Sequence, residues 1–207
     1  MFRRTGIRRV CKMTTTASTD AATTIVQNDS RFNDQFGEMS PRAKEKVKGE
    51  MSDFVQKFIA ASPFAVMASA DPDGNCDASP KGGKAGFVKV IDSTRLLLPD
   101  VAGNRLFQSY QNMDTNPHVG LLFMIPGIND TVRINGTISI VDKEELERQK
   151  VELELYWTDD NSKHLQGIII NVEESYTHCP RAYNFAKLWD TDQITENQTN
   201  RPIPLRP

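Results

Sequence analysis

The strongest constraint in this sequence is a change of hydrophobic period. From residue 64 onward the apolar residues stop recurring every three or four positions. They gather instead in short runs, at 64–70, 87–91, 95–99, 118–125, 131–141 and 167–172. Dense turn signals separate several of these runs: Asp71-Pro72-Asp73-Gly74-Asn75, Asp92-Ser93-Thr94 and Pro126-Gly127. Asp and Asn side chains bond back to the local backbone, proline presets one dihedral and glycine accepts a positive one, so such clusters reverse a chain between strands. With 76–80 as the return limb of the first hairpin, the pattern predicts six or seven strands. The strands do not alternate with long helices, which disfavours a doubly wound parallel sheet. The reading is a mainly β fold, a barrel or sandwich with peripheral helices.

Helical signals lie mostly at the margins. Ser40-Pro41 offers an N-cap oxygen followed by a first-turn proline. Val47, Met51, Phe54, Val55, Phe58 and Ile59 follow at helical spacing. Together they predict one amphipathic helix running to Ser62-Pro63, where the proline ring opposes continuation. Shorter helices are expected over 103–116 and 180–189, and a charged one over 144–157. Prolines at 202, 204 and 207 predict a terminal stretch without regular structure. The chain therefore divides into a leader and flexible arm (1–39), one folded domain (40–190) and a Pro-rich tail (191–207).

Charge enters the argument through its distribution. The 207 residues carry a formal net charge of −2. Residues 1–19 hold Arg3, Arg4, Arg8, Arg9 and Lys12 and no acid; with those five set aside, 20 basic residues face 27 acidic ones and the remainder is −7. An Arg-rich, acid-free start fits a mitochondrial transit peptide. Translation from Met13 is the other reading, and it leaves a cytoplasmic protein. The acidic body argues against nucleic acid as a partner, and no apolar run is long enough to cross a bilayer as a helix. Cys11, Cys76 and Cys179 form no CxxC pair, and His118, His164 and His178 stand apart, so no metal site is expected.

Two segments could hold an anion. Residues 77–86 combine Lys81 and Lys84 with Gly82, Gly83 and Gly86. Glycine lets a backbone come close to a phosphate and lysine supplies charge. This is not a P-loop: Ala78 stands at the position of the first glycine and Ala85 at that of the hydroxyl residue. The plain alternative is a flexible hairpin loop. Residues 99–105 place Asn104 and Arg105 at the expected start of a helix, where backbone N–H groups favour a bound anion. His178 beside Cys179 suggests a reactive thiol, but adjacent side chains usually point apart. No G-x-S-x-G is present. Trp157 and Trp189 read as packing residues.

The order of these motifs resembles a known family. Asp77-Ala78-Ser79-Pro80-Lys81-Gly82-Gly83 precedes Leu97-Leu98-Pro99-Asp100 and Gly103-Asn104-Arg105; Arg133-Ile134-Asn135-Gly136 follows, then His178-Cys179-Pro180-Arg181 and Leu188-Trp189-Asp190. The chain is similar over about residues 40–190 to the pyridoxamine 5′-phosphate oxidase-like proteins, FMN-binding split barrels. The resemblance implies a six-stranded antiparallel split barrel and a homodimer with FMN in a cleft between subunits. It puts Asp77, Ala78, Ser79, Pro80 and Lys81 along the flavin, with Leu98 and Pro99 on a second lining strand. Asn104 and Arg105 fall at the phosphate. Thr131 stands where the oxidase has a flavin-contacting glutamine, and His178, Cys179 and Arg181 lie by the open face, towards a substrate.

Departures bear on the substrate. Cys76 replaces an arginine of the oxidase, its basic pair is reduced to Asn104-Arg105, and its C-terminal arginine motif has no counterpart. These differences argue against pyridoxamine phosphate. The resemblance implies an FMN-dependent oxidoreductase acting on a small molecule, with no catalytic residue singled out. A non-enzymatic flavin or haem binder on the same barrel, and deazaflavin in place of FMN, are the alternatives.

Overall fold

The computed structural model describes residues 31–101, 108–142, 144, 146 and 164–206. Seven strands make one sheet: β1 (Phe64–Ala70), β2 (Cys76–Gly82), β3 (Lys89–Asp92), β4 (Arg95–Val101), β5 (His118–Met124), β6 (Thr131–Asp142) and β7 (His164–His178). Their order across it is β2-β1-β5-β6-β7-β4-β3, every neighbouring pair antiparallel. The mainly β class is the one expected. The strand count is one more than the resemblance implied, and among the described residues β2 and β3 remain the two edges.

Local chemistry explains the reversals. Asp71 Oδ1 accepts from the N–H groups of Asp73 and Asn75 at 3.0 and 2.8 Å, and Gly74 takes φ +85°, closing the β1–β2 hairpin. Asp92 bonds the Thr94 N–H and Arg95, whose Nη2 lies 2.7 Å from Oδ2, at the β3–β4 turn. Proline cannot donate to a ladder, so it needs an edge. Pro80 sits on edge strand β2, and Pro99 pairs with Gly167 of β7 beyond the part of β4 that β3 covers.

One face of the sheet forms the core. Ala65, Met67, Leu96, Leu98, Leu121, Phe123, Val132, Ile134, Ile168 and Ile170 pack there against Val55, Phe58 and Ile59 of helix α3 (Asp53–Ala61) and Met113 of α4 (Gln108–Thr115). Burying each large aliphatic contributes roughly 1.5–3 kcal/mol.

The single helix expected over 40–62 is two. Following α1 (Arg31–Phe36), α2 (Pro41–Lys44) starts at the Ser40 cap as read, but stops after one turn. Lys48 then pairs with Ser175 of β7, its N–H donating to the Ser175 carbonyl at 3.1 Å and its carbonyl accepting from the Ser175 N–H at 2.7 Å. The Met51 N–H donates to the Ser93 carbonyl at 2.7 Å, and Ser52 caps α3 anew. Extended pairing outbids helix continuation here. After α5 (Arg181–Ala186), a further helix, α6 (Thr191–Thr199), occupies the stretch read as an irregular tail. Its N-cap is Asp190, and the prolines begin only at Pro202. The helix expected over 144–157 falls almost wholly outside the described residues; Glu144 and buried Leu146 are helical. Among the described residues no helix is long and apolar enough to cross a membrane.

Candidate functional site

Strand alternation sorts the outer face. Val132 and Ile134 of β6 point into the core, so Thr131, Arg133 and Asn135 point away from it. Register then builds a row: Leu122 of β5 lies beside Arg133, and Arg133 beside Tyr176 of β7; Thr131 faces His178 directly. Asn129 from the β5–β6 loop and Cys179, Ala182 and Tyr183 from the start of α5 close this row into a cleft of about 190 Å³.

Several contacts fix its walls. Arg133 Nη1 donates to Tyr176 Oη at 3.0 Å, and its guanidinium carbon lies 5.7 Å from the Tyr176 ring centre. The His178 ring sits 5.0 Å from the same ring. Lys46 Nζ donates to the Thr177 carbonyl at 3.0 Å. Helix α5 is pinned from its far side: Trp189 Nε1 donates to the Ile128 carbonyl at 3.0 Å and meets Tyr183 edge-on at 6.1 Å. Asn129 Nδ2 donates to Asn184 Oδ1 at 2.6 Å.

The electrostatics are one-sided. Burial, with Arg133 and Lys46 adding to it, holds the His178 imidazole below its ordinary value of 6.5. Burial pushes the Tyr183 phenol up, so it keeps its proton. His178 Nε2 and Tyr183 Oη are buried atoms with no hydrogen-bond partner among the described residues. No carboxylate pairs with Arg133 among the described residues; Glu174, on the same face, accepts instead from Asn135 Nδ2 at 2.8 Å.

Of the residues singled out in the sequence, Thr131, His178 and Cys179 meet here. Cys179 joins His178 because alternation ends with β7. Arg181 does not line the cleft; it is exposed, and its guanidinium stacks 4.9 Å over the Phe185 ring. The β2 group splits by face. Asp77, Ser79 and Lys81 pair with Ser69, Met67 and Ala65, on the core side, whereas Ala78 and Pro80 point outward. The Asp77 carboxylate accepts from Ser109 Oγ, tying β2 to α4. Leu98 and Pro99 are buried. Strand β1 lies between β2 and β5, the first strand of the His178 cleft. Asn104 and Arg105 lie outside the described residues.

The lysine–glycine loop is neither slack nor open. The Gly83 and Gly86 N–H groups donate to the Pro63 and Ser62 carbonyls at 3.0 and 3.3 Å. Gly86 has φ +79°, and a Cβ there would lie 3.0 Å from the Ala60 carbonyl oxygen. These glycines dock the loop on the end of α3. Sequence reasoning passed over Arg133 and Tyr183. Arg133 had a signal, a cation at an outward position inside an apolar strand; Tyr183 had none.

Residues 51–179, more than half of the chain, match the family model for pyridoxamine 5′-phosphate oxidase. The chain belongs to the pyridoxamine 5′-phosphate oxidase family. The match ends at Cys179, so it takes in all seven strands and both His178 and Arg133. No curated protein matches this family member. Among solved structures it is similar to a putative pyridoxamine 5′-phosphate oxidase from Lactobacillus delbrueckii, at 19% identity and TM-score 0.46 over 62% of this chain and 95% of that one. It is also similar to an FMN-binding protein from Syntrophomonas wolfei, at 13% identity and TM-score 0.45 over 60% and 83%. A HupZ variant from Group A Streptococcus aligns at 17% identity and TM-score 0.45 over 62% and 99%.

Proposed function

We propose that this member of the pyridoxamine 5′-phosphate oxidase family is an FMN-dependent oxidoreductase acting on a small molecule, and that it is a homodimer with the flavin between subunits. The observation that carries the reading is the pair of buried polar atoms without a partner among the described residues, His178 Nε2 and Tyr183 Oη, beside Arg133 in the outer cleft, which a small molecule bound next to the flavin would pair. Leaving such a group unpaired costs on the order of 1–3 kcal/mol. A bound molecule that hydrogen-bonds them removes that cost.

The residues present fit a flavin. Strand β2 is an edge, so half of its backbone groups have no strand partner and can bond along a ligand. Its outward Ala78 lies beside Ala68 and Gly120, three small residues in a row that let a flat ring approach the sheet. Thr131 adds a side chain at the His178 end. The cleft itself, at about 190 Å³, is smaller than the ~300 Å³ at which ligand sites usually start. A second copy laid over the outer face would supply the missing wall, and Phe64, Val66, Leu122 and Met124 are half-buried apolar residues on that face. Bound FMN would supply two-electron chemistry. The chain's own part is to hold negative charge near Arg133, to donate from Tyr183 and to exclude water.

The test is direct. The purified full chain is heated, the released ligand identified by mass, and NADH and NADPH tried as reductants of the bound flavin. Yellow protein releasing FMN and reducible by either donor is expected, with no turnover of pyridoxamine phosphate. A colourless protein that takes up no FMN would sink the reading; a Soret band on haem titration, lost in His178→Ala, would replace it with the binder.

A further inference from the structure

We propose that the cleft formed by Arg133, His178 and Tyr183 binds the carboxylate of a small organic acid, so that the substrates of this protein are carboxylic acids. The substrate part of this statement rests on the flavin reading above; the binding part stands on the cleft alone.

Donor counting leads to a carboxylate. An ionised carboxylate is acceptor-only, with two oxygens and about four lone-pair sites. Three side chains of the cleft, Arg133, His178 and Tyr183, can all donate, and the Thr131 hydroxyl can as well. The Arg133 guanidinium has five N–H groups in a planar fork, and one of them is committed to Tyr176 Oη. That bond, with the ring contact to Tyr176, holds the fork in place before a ligand arrives. Tyr183 Oη, kept protonated by burial, contributes an unused O–H. His178 Nε2 is likewise without a partner among the described residues, and it donates when the neutral ring carries its proton there, the tautomer a bound anion selects. The two charges that act on His178, Arg133 and Lys46, are both positive; Asp130, between the lining residues Asn129 and Thr131, is exposed. The acid on the same face, Glu174, is turned to Asn135.

Size and shape narrow the class. Within one subunit about 190 Å³ admits a carboxylate and a small group attached to it; a nucleotide needs the further wall that a second copy would add. Leu122 and Ala182 supply an apolar wall for that attached group. A fork meeting a planar carboxylate can make two parallel bonds, the arrangement that gives arginine its preference for this anion.

The experiment uses the full chain loaded with FMN, isotopically labelled in histidine and tyrosine, and titrated with benzoate and with its neutral isostere benzamide. Benzoate is expected to shift the His178 and Tyr183 signals and to bind at least about tenfold more tightly than benzamide. Arg133→Gln should remove most of that preference. Tyr183→Phe keeps the ring against Trp189 and should still weaken benzoate about threefold to tenfold. Lys57→Gln, an exposed lysine on α3, which packs against the opposite, core face of the sheet, should change nothing. Equal binding of the two probes, or benzoate binding unaltered in both cleft variants, would overturn the proposal. So would competition between benzoate and FMN, which would make the cleft the site of the cofactor's phosphate. Flavin absorbance on the same sample separates the two readings: no FMN uptake with selective benzoate binding removes the flavin and keeps the anion site, and FMN uptake without selectivity does the reverse.

Discussion

A single arginine shows how position in a strand decides what a residue meets. Arg133 sits between two core residues in sequence and opposite them in space, because a strand sends alternate side chains to opposite faces. Its charge helps keep His178 neutral. Removing it in Arg133→Gln should raise the His178 value towards 6.5, though only part of the way, since burial is the larger cause. An NMR titration of the histidine ring reads this directly. The sign for stability follows. Between its folded value and 6.5, His178 takes a proton only when the chain unfolds, so its contribution is complete above 6.5 and falls as pH drops through the folded value. Asp92 behaves likewise at lower pH. The Arg95 side chain, with the Thr94 N–H, holds its carboxyl at about 2 against an ordinary 3.8. Its contribution is complete above 3.8 and lost towards 2, and Arg95→Ala should return the titration midpoint towards 3.8 in a carboxylate NMR experiment. At this scale the sequence was legible where chemistry is unusual. His178 and Thr131 were identified through the resemblance, Arg133 was quoted without a role, and Tyr183 needed the fold of α5 to bring it over the strands.

Elements were legible where their causes are local. The turn at 71–75 and strand β1 follow from residues adjacent in sequence, and both form as read. The helix over 40–62 failed for a non-local reason: Lys48 finds Ser175, which lies 127 positions further along the chain. Once the chain has left helix α2, Ser52 must start the next one. Ser52→Ala should therefore cost about 1 kcal/mol of stability, read by denaturant unfolding. The 191–199 helix was missed because the prolines that follow it were allowed to speak for the whole stretch. A tighter constraint lies at the β6–β7 register shift, where Asn135 and Gly136 face Glu174 and Val172. A Cβ on Gly136 would stand 2.1 Å from the Asn171 carbonyl oxygen across the β6–β7 ladder. Both groups are backbone, so neither can move alone. Gly136→Ala should destabilise by at least ~2 kcal/mol, seen as a lower Tm in calorimetry.

The strand order of the whole sheet was not readable from periodicity, because pairing partners far apart in sequence leave no mark on either. The class was readable, and so was the split between a core face and a polar one. The outer face, with Phe64, Val66, Leu122 and Met124 half-buried on it, is the surface on which a second copy is proposed to sit. Val66→Glu puts a charge in its middle; light scattering should then report a monomer where the unaltered chain gives a dimer, and FMN should bind more weakly. The order β2-β1-β5-β6-β7-β4-β3 has another consequence. Among the described residues β7 is the strand that joins β3 and β4 to the rest, and it is the last of the seven to be made. On the ribosome, β1, β2, β5 and β6 can assemble as they emerge. The β3–β4 hairpin, synthesised in between, must wait with its free edge uncovered until residues 164–178 leave the exit tunnel. Vectorial synthesis thus leaves Leu96 and Leu98, deep in the finished core, without their β7 neighbours until the last of these strands emerges. Until then a chaperone that shields nascent chains has this hairpin to cover.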